Sequence, residues 1–350
     1  MTPRSLNLGL SCALAAGLLW GIVFIAPVLL PDYPAIYLSA SRYLAFGLIA
    51  LVLALFDWKQ LRALTKADWL SALELSLIGN LLYYSCLAAA IQIAGAPLPT
   101  MIIGALPVVI SIGSNLHQAS MPWGKLMAPL GLIGLGITLV HRDEWNHLAA
   151  QGPQADLGTQ FLLGGLLAVA AVTCWTWYPI RNSRWLKLRP SINSTTWANA
   201  QGLATLPLAL LAVGVIGLAQ TGAFSQSAST LTGVSAGLAW RPFPQIGAEA
   251  PILSALLGPT PLLFLGLMLA IGLGASWLGT LLWNRASQVL PATLMGQLIV
   301  FETLAAMLYA FIHRGEWPGV LTWAGIALLI AGVVFGVRAF RLHAYIQERA

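Results

Sequence analysis

Charge is scarce in this sequence. Only 8% of its 350 residues are Asp, Glu, Lys or Arg, against about a quarter in a soluble domain. So few charges cannot cover a water-facing surface, and a soluble globular fold is excluded. Histidine is also sparse. Its five copies, His117, His141, His147, His313 and His343, fall at the ends of apolar runs or between them. Neither H-E-x-x-H nor G-x-S-x-G nor a glycine loop ending in G-K-[ST] occurs, so no zinc protease, nucleophile elbow or phosphate cradle is encoded. The missing phosphate cradle argues against transport driven by nucleotide hydrolysis. Cys12, Cys86 and Cys174 lie in apolar stretches. They have neither metal-ligand spacing nor a disulfide framework and read as small packing residues. No cofactor and no metal is implied.

What the chain does contain is apolar length. It is 58% hydrophobic, with a mean hydropathy of +0.81 and 14 tryptophans, a residue suited to interfacial belts and cavity walls. This is an all-α polytopic membrane protein, in contact with the lipid bilayer along most of its length. The formal charge of +6 does not imply nucleic acid, because no basic stripe of soluble character exists. The N-terminal apolar run is too long for a signal-peptide core and lacks an A-x-A cleavage site, so it is expected to stay as a helix.

A bilayer core of roughly 30 Å needs about 20 apolar residues at 1.5 Å each. Ten such runs occur, near 7–30, 34–56, 69–92, 96–117, 122–141, 160–180, 191–216, 260–284, 291–312 and 317–338. With the N-terminus in the cytoplasm, thirteen Lys and Arg residues collect on the cytoplasmic side and three, Arg142, Arg241 and Arg314, on the other. That asymmetry predicts ten helices with both termini cytoplasmic.

The chain also reads as duplicated. A shift of 155 residues carries "AAGLLWGIVF" at 15–24 onto "AAVTCWTWYP" at 170–179, Trp20 onto Trp175 and Gly47 onto Gly202. A shift of 196 carries Pro122 onto Pro318 and Gly136 onto Gly332. The difference is an insertion around 218–259, which includes "AWRPFPQ" with Trp240 and Phe243. Each half has an odd number of spans and so inserts upside down relative to the other. The loops agree. The loop after the first span has no Lys or Arg, whereas its counterpart at 181–190 has four. The predicted organisation is a first five-helix repeat at 1–141 and an extracytoplasmic linker at 142–159. A second five-helix repeat follows at 160–338 with its extracytoplasmic insertion near 218–259, then a cytoplasmic tail at 339–350. Inverted repeats place binding sites near the midplane between the halves.

The order of motifs resembles the EamA-type drug/metabolite transporters. "GLLWG" at 17–21, "SRYLAFG" at 41–47, "LP" at 106–107 and "GEWPG" at 315–319 are similar to that family's patterns. Within it, the aromatic amino acid exporter branch is closest. "LLYYSCLAAA" at 81–90, "CWTWYP" at 174–179 and "LLWNRA" at 281–286 resemble its third-, sixth- and eighth-helix segments. The resemblance implies export of amino acids or related small metabolites across a bacterial inner membrane. By position it makes Tyr83, Trp175, Tyr178 and Trp283 cavity residues. The sequence departs from the branch in two places. Leu106 stands where an aromatic is usual, and Phe301-Glu302-Thr303 stands where Phe-Thr-Pro is usual.

Glu302 is the sharpest single signal. An ionisable group at a helix midpoint costs roughly 2.5–3.5 kcal/mol on insertion scales. In a watery cavity Glu302 could bind a substrate ammonium or exchange a proton for it; against packed atoms it protonates. Arg42, about 12 Å inside the outer end of its helix at 1.5 Å per residue, is the counter-charge. It has three readings: snorkelling to the headgroups, pairing with a carboxylate, or the stabilising role that the family's basic residue implies. Trp20, Tyr83, Tyr84, Trp175, Trp177, Tyr178, Trp277 and Trp283 offer aromatic faces for planar or cationic guests, and equally serve packing. Asn80 and Gln297 are deep enough to line a cavity, whereas Asn284 and Gln288 read as amides joining helices. "GLIGLG" at 131–136 and "GVVFG" at 332–336 permit close helix contact within one chain, with a homodimer contact as the alternative.

The predicted site therefore comprises Trp20, Asn80, Tyr83, Trp175, Tyr178, Trp283, Gln297 and Glu302, with Glu302 as proton-coupling candidate and Arg42 as its charge partner. The function these residues support best is secondary transport of a small molecule by alternating access. A membrane-embedded enzyme is the rival class, but "IGSN" at 112–115 offers a serine without a base. A helical scaffold has no need of polar groups at the midplane. Sided labelling of single cysteines introduced at 60, 150, 187 and 230 tests the topology. Positions 60 and 187 are expected to react from the cytoplasmic side and 150 and 230 from the other; labelling of 60 and 187 from opposite sides contradicts it.

Overall fold

The computed structural model describes residues 3–30, 32–94, 97–118, 121–149, 159–220, 257–315 and 317–347. Among them helix is the only regular structure. Ten main helical segments follow in order, with a 3-10 turn (Ile22–Phe24) and a one-turn helix (Ala26–Leu29) between the first two. They are α1 (Pro3–Gly21), α2 (Ala35–Arg62), α3 (Lys66–Leu75 continuing to Ala94) and α4 (Pro97–Gly104 with Leu106–Gln118). Next come α5 (Trp123–Ala149), α6 (Thr159–Leu188) and α7 (Ser194–Gln220). The last are α8 (Pro261–Ile271 continuing to Val289), α9 (Ala292–Leu298 with Val300–Arg314) and α10 (Val320–Gln347). Nine helices among the described residues are long and apolar enough to cross a membrane, and α4 supplies a shorter apolar segment.

Local chemistry sets several boundaries. Thr65 and Asp68 form a capping box that starts α3. Gly315 takes φ +67°, a left-handed conformation open to glycine, and ends α9. The expected run 96–117 is instead two helices divided at Ala105. Pro107 accounts for the break, since it lacks an N–H and crowds the preceding turn. The run 291–312 tightens at Ile299, whose N–H is shared between the carbonyls of Met295 and Gly296. Three helices outlast their apolar runs. α5 continues through 142–149, α6 through 181–188, and α10 through 339–347, where a tail was expected. The insertion with Trp240 and Phe243 lies largely outside the described residues, as does half of the expected linker, 150–158.

The two halves repeat in three dimensions. α3 and α8 each contain one π-helical stretch, Ser76–Leu82 and Gly272–Leu278, whose first and last residues are both 196 apart. Helix pairing is reciprocal: α1 packs on α8 as α6 packs on α3, and α1 on α9 as α6 on α4. α2 packs on α7, α4 on α9 and α5 on α10, each a pair of equivalents. In the last of these a Cβ added to Gly136 would lie 2.8 Å from the Gly325 carbonyl and 2.9 Å from Leu329 Cγ. One added to Gly332 would lie 2.9 Å from the Pro129 carbonyl and 2.6 Å from Ile133. Gly325 and Leu329 are the 196-residue counterparts of Pro129 and Ile133, so the contact is self-complementary, as a two-fold relation requires. Both glycine motifs thus serve contacts within the chain. Large apolar side chains such as Leu55, Phe56, Leu211, Leu262 and Ile312 point outward, the surface that acyl chains require.

Alanine at Gly136 or Gly332 forces backbones apart, whereas Gly131 has open space around it. Overpacking of this kind costs about 1–3 kcal/mol. Gly136→Ala and Gly332→Ala are expected to lower the melting temperature of the detergent-purified protein by several degrees, and Gly131→Ala to leave it unchanged. Thermal unfolding followed by size-exclusion chromatography reads the difference.

Candidate functional site

Five aromatic side chains meet between the halves. Trp20 of α1 makes an edge contact with Trp175 of α6 at 5.8 Å between ring centroids, and lies 5.0 Å from Trp283 of α8. Trp175 is stacked between Tyr83 of α3 at 4.8 Å and Tyr178 of its own helix at 5.1 Å. Trp20 and Trp175 are counterparts under the 155-residue shift, so their contact lies on the pseudo-two-fold relation itself. Trp20, Tyr178 and Trp283 are buried, and Tyr83 and Trp175 half-buried.

Glycines in and beside the π-helical stretches make room for these rings. Gly79 abuts the Tyr178 ring, and a Cβ on Gly279 would lie 2.7 Å from Trp20 Nε1. The Trp20 indole donates to the Ala275 carbonyl at 2.9 Å, inside the π-helical stretch of α8, where the wider turn loosens carbonyls from their own ladder. The Trp283 indole N–H is buried and has no acceptor among the described residues.

Glu302 lies in the first turn of Val300–Arg314, and the backbone of α1 reaches it at Gly17, whose added Cβ would be 3.1 Å from the Glu302 nitrogen. The side chain is half-buried. One carboxyl oxygen, Oε2, is enclosed and has no hydrogen-bond partner among the described residues. Arg42 does not pair with it directly. Its Nε donates to Ser276 Oγ at 2.9 Å, again in the π-helical stretch of α8, and its guanidinium lies 5.0 Å from the Tyr43 ring centroid.

A second polar layer lies toward the end of the bundle that carries most Lys and Arg. Asn182 of α6 is its hub. It donates to Asn284 Oδ1 at 2.9 Å, and its own carbonyl oxygen accepts from Trp197 Nε1 at 2.8 Å and Gln201 Nε2 at 3.1 Å. Tyr178 donates to Gln201 Oε1 at 3.3 Å, which joins the layer to the aromatic cluster. Ser76 donates to the Gln201 carbonyl at 3.1 Å and accepts from Thr205 at 2.9 Å. Arg181 pairs with Glu74 at 3.0 Å, and Arg189 lies 3.6 Å from the buried Asp68.

The structure thus gathers Trp20, Tyr83, Trp175, Tyr178 and Trp283, with Glu302 against α1 at Gly17 and Arg42 held by Ser276 of α8. It does not bring every predicted residue there. Asn80 bonds Thr205 of α7 at 3.4 Å, a link between helices. Gln297 is fully buried, with its amide against Gly336 of α10. Trp277 donates to Asn199 at 2.8 Å. Sequence reasoning missed Asn182 and Gln201, because the sixth apolar run stops at 180 and Asn182 follows a basic residue that reads as loop. It also missed Ser276 and the two glycines, which carry no signal until the π-helical turns are seen. Among the described residues no cluster of His, Cys, Asp or Glu is arranged to hold a metal.

Comparison with known proteins agrees with this architecture. Residues 7–142 match the EamA-like transporter family. The inner membrane protein YtfF of Escherichia coli (strain K12) is 44% identical over 335 residues, which cover 95% of each chain. A protein of known crystal structure superposes with a TM-score of 0.66 over 98% of this chain and 99% of its own, at 17% identity, a likeness of fold alone. On the strength of the near full-length relative and the match across the first half, the chain belongs to the EamA-like transporter family and is a membrane transporter of the drug/metabolite type.

Proposed function

We propose that the protein exports amino acids or related small metabolites across the inner membrane by alternating access, with Glu302 exchanging a proton against substrate. One observation carries this: an aromatic cluster lies between two reciprocally packed halves, beside a carboxyl whose enclosed oxygen has no partner. Aromatic walls suit planar or cationic guests. A carboxylate charge in that setting is costly unless a cation answers it, and a proton or a substrate ammonium is a cation of suitable size. The two halves would rock about the Trp20–Trp175 contact and expose the cluster to each side in turn.

The hydrogen-bonded layer around Asn182 and the Arg181–Glu74 pair then close the basic end. The Lys and Arg bias supports a cytoplasmic location for that end. The description of the relative YtfF as an inner membrane protein supports the same location here. Trp20, Tyr83, Trp175, Tyr178 and Trp283 are assigned to the substrate and Glu302 to the proton; Asn80 is assigned to helix joining, and Gln297, whose amide has no hydrogen-bond partner among the described residues, to packing against Gly336.

Reconstituted vesicles loaded with a panel of labelled amino acids and amines test the proposal. Wild-type efflux is expected to depend on a pH gradient. Glu302→Gln is expected to lower efflux at least about tenfold while the protein inserts normally, and the residue of its activity to ignore the gradient. Wild-type rates and pH dependence in Glu302→Gln exclude the proton role.

A further inference from the structure

Away from the aromatic cluster, α4 and α5 leave a groove of about 600 Å³ between them. Ala105 and Val108 of α4 and Gly134 and Ile137 of α5 form its apolar walls. A Cβ on Gly134 would meet nothing within 4 Å. Thr138 also lines the groove, but its hydroxyl is spent on the Gly134 carbonyl at 2.9 Å. Leu135 beside it is an exposed apolar side chain, so the groove opens on the surface that meets acyl chains.

One end of the groove is different. His141 and Arg142 line it there, and the His141 ring abuts Gly104 at the end of the first α4 helix. Arg142 closes the apolar stretch Trp123–Arg142, which has 20 residues, about 30 Å of helix. It therefore stands where hydrocarbon gives way to headgroups. By the charge bias of the loops it is one of only three Lys or Arg residues expected at its end of the bundle. Asp143 and Glu144 follow it, but the helix carries those positions about 100° and 200° further round.

The internal repeat shows that the groove belongs to the first half. The 196-residue shift carries Arg142 onto Arg338, so the cation is kept. It carries Ala105 onto Phe301, Val108 onto Leu304 and Gly134 onto Ile330. Each small or medium wall residue between α4 and α5 thus has a larger one between α9 and α10. Phe301 and Leu304 pack on the core there.

We infer that the groove between α4 and α5 is a binding site for an anionic phospholipid, with an acyl chain along Ala105, Val108, Gly134 and Ile137 and the phosphate at Arg142. An apolar trough that ends in a cation at headgroup depth is the complement of such a lipid, and basic pockets between membrane helices bind headgroups. The guanidinium fork suits phosphate oxygens. A polar solute would find only apolar walls below Thr138. The inference is independent of what the protein transports.

Native mass spectrometry of the detergent-purified full chain tests it, with phosphatidylglycerol and phosphatidylcholine of identical acyl chains as probes. Wild-type protein is expected to hold phosphatidylglycerol about fivefold more tightly, the worth of one basic residue at the surface. Arg142→Gln is expected to erase that preference, and Arg338→Gln to leave it in place. Gly134→Ile, which installs the counterpart residue in open space, is expected to weaken binding of both lipids. Equal wild-type affinity for the two lipids overturns the site, and that comparison needs no variant to fold. So does an unchanged preference in Arg142→Gln, or unchanged binding of both lipids in Gly134→Ile. Displacement of phosphatidylglycerol by inorganic phosphate marks an ion site without a chain. Displacement by a transported amino acid or amine marks a substrate entrance. Either result also overturns the lipid site.

Discussion

Close backbone approach between equivalent helices is the constraint on which the rest of this molecule depends. Lipid gives helices no hydrophobic reason to associate, so packing and internal hydrogen bonds must hold them together. α5 and α10 meet at Gly136, Gly325 and Gly332, and α2 and α7 at Gly47 against Leu206 and Gly202 against Ala50. These two pairs flank the bundle and tie its halves. The remaining six helices are thereby fixed around the Trp20–Trp175 contact. Both π-helical stretches, Ser76–Leu82 and Gly272–Leu278, fall on this inner set, where the extra residue per turn turns carbonyls and small side chains toward neighbouring helices.

Toward the basic end the polar groups of the bundle hydrogen-bond to one another, although Asn284 Nδ2, Ser287 Oγ, Trp185 Nε1 and one Asp68 oxygen have no partner among the described residues. Asn182 alone joins Asn284, Trp197 and Gln201, and a layer so connected is stable in a low dielectric. Near mid-depth, Glu302 and Trp283 are left with unmet hydrogen bonds. Each such group costs free energy that an apolar residue would not.

Much of this was legible in the sequence, for identifiable reasons. Hydropathy marks the helices because bilayer thickness fixes how many apolar residues each needs. It fails at their ends, because α5, α6 and α10 run on past the lipid through Arg142, Arg181 and Arg338, where charge is no obstacle. The same error hid Asn182. Pro107 announces the division of α4, whereas nothing comparable marks the tightening at Ile299. The meeting of Trp20 with Trp175 follows from the internal shift that superimposes them. The side on which Gln297 points does not follow, because α9 is apolar around it and only the presence of Gly336 on α10 decides. The π-helical turns arise from tertiary packing, as at Gly79 under the Tyr178 ring, and single-residue propensities do not contain them.

The backbone repeat is close, but the side chains break it in one direction. The 155- and 196-residue shifts carry Asn182 onto Pro27, Gln201 onto Phe46, Thr205 onto Ala50, Asn284 onto Ala88 and Ser76 onto Gly272. The Arg181–Glu74 pair falls on Ala26 and Ala270, and Trp197 on Arg42. Most members of the hydrogen-bonded layer at the basic end therefore have an apolar or glycine counterpart at the other end, while Tyr33, which bonds Leu257 and Thr260 at that end, has Leu188 as its counterpart. Two inverted halves with identical side chains would have closures of equal energy at both ends. Here the basic end is closed by a buried amide network and ion pairs, the other by apolar contact and the hydrogen bonds of Tyr33 with Leu257 and Thr260. In the rocking proposed for this protein the two states then differ in free energy before any substrate binds.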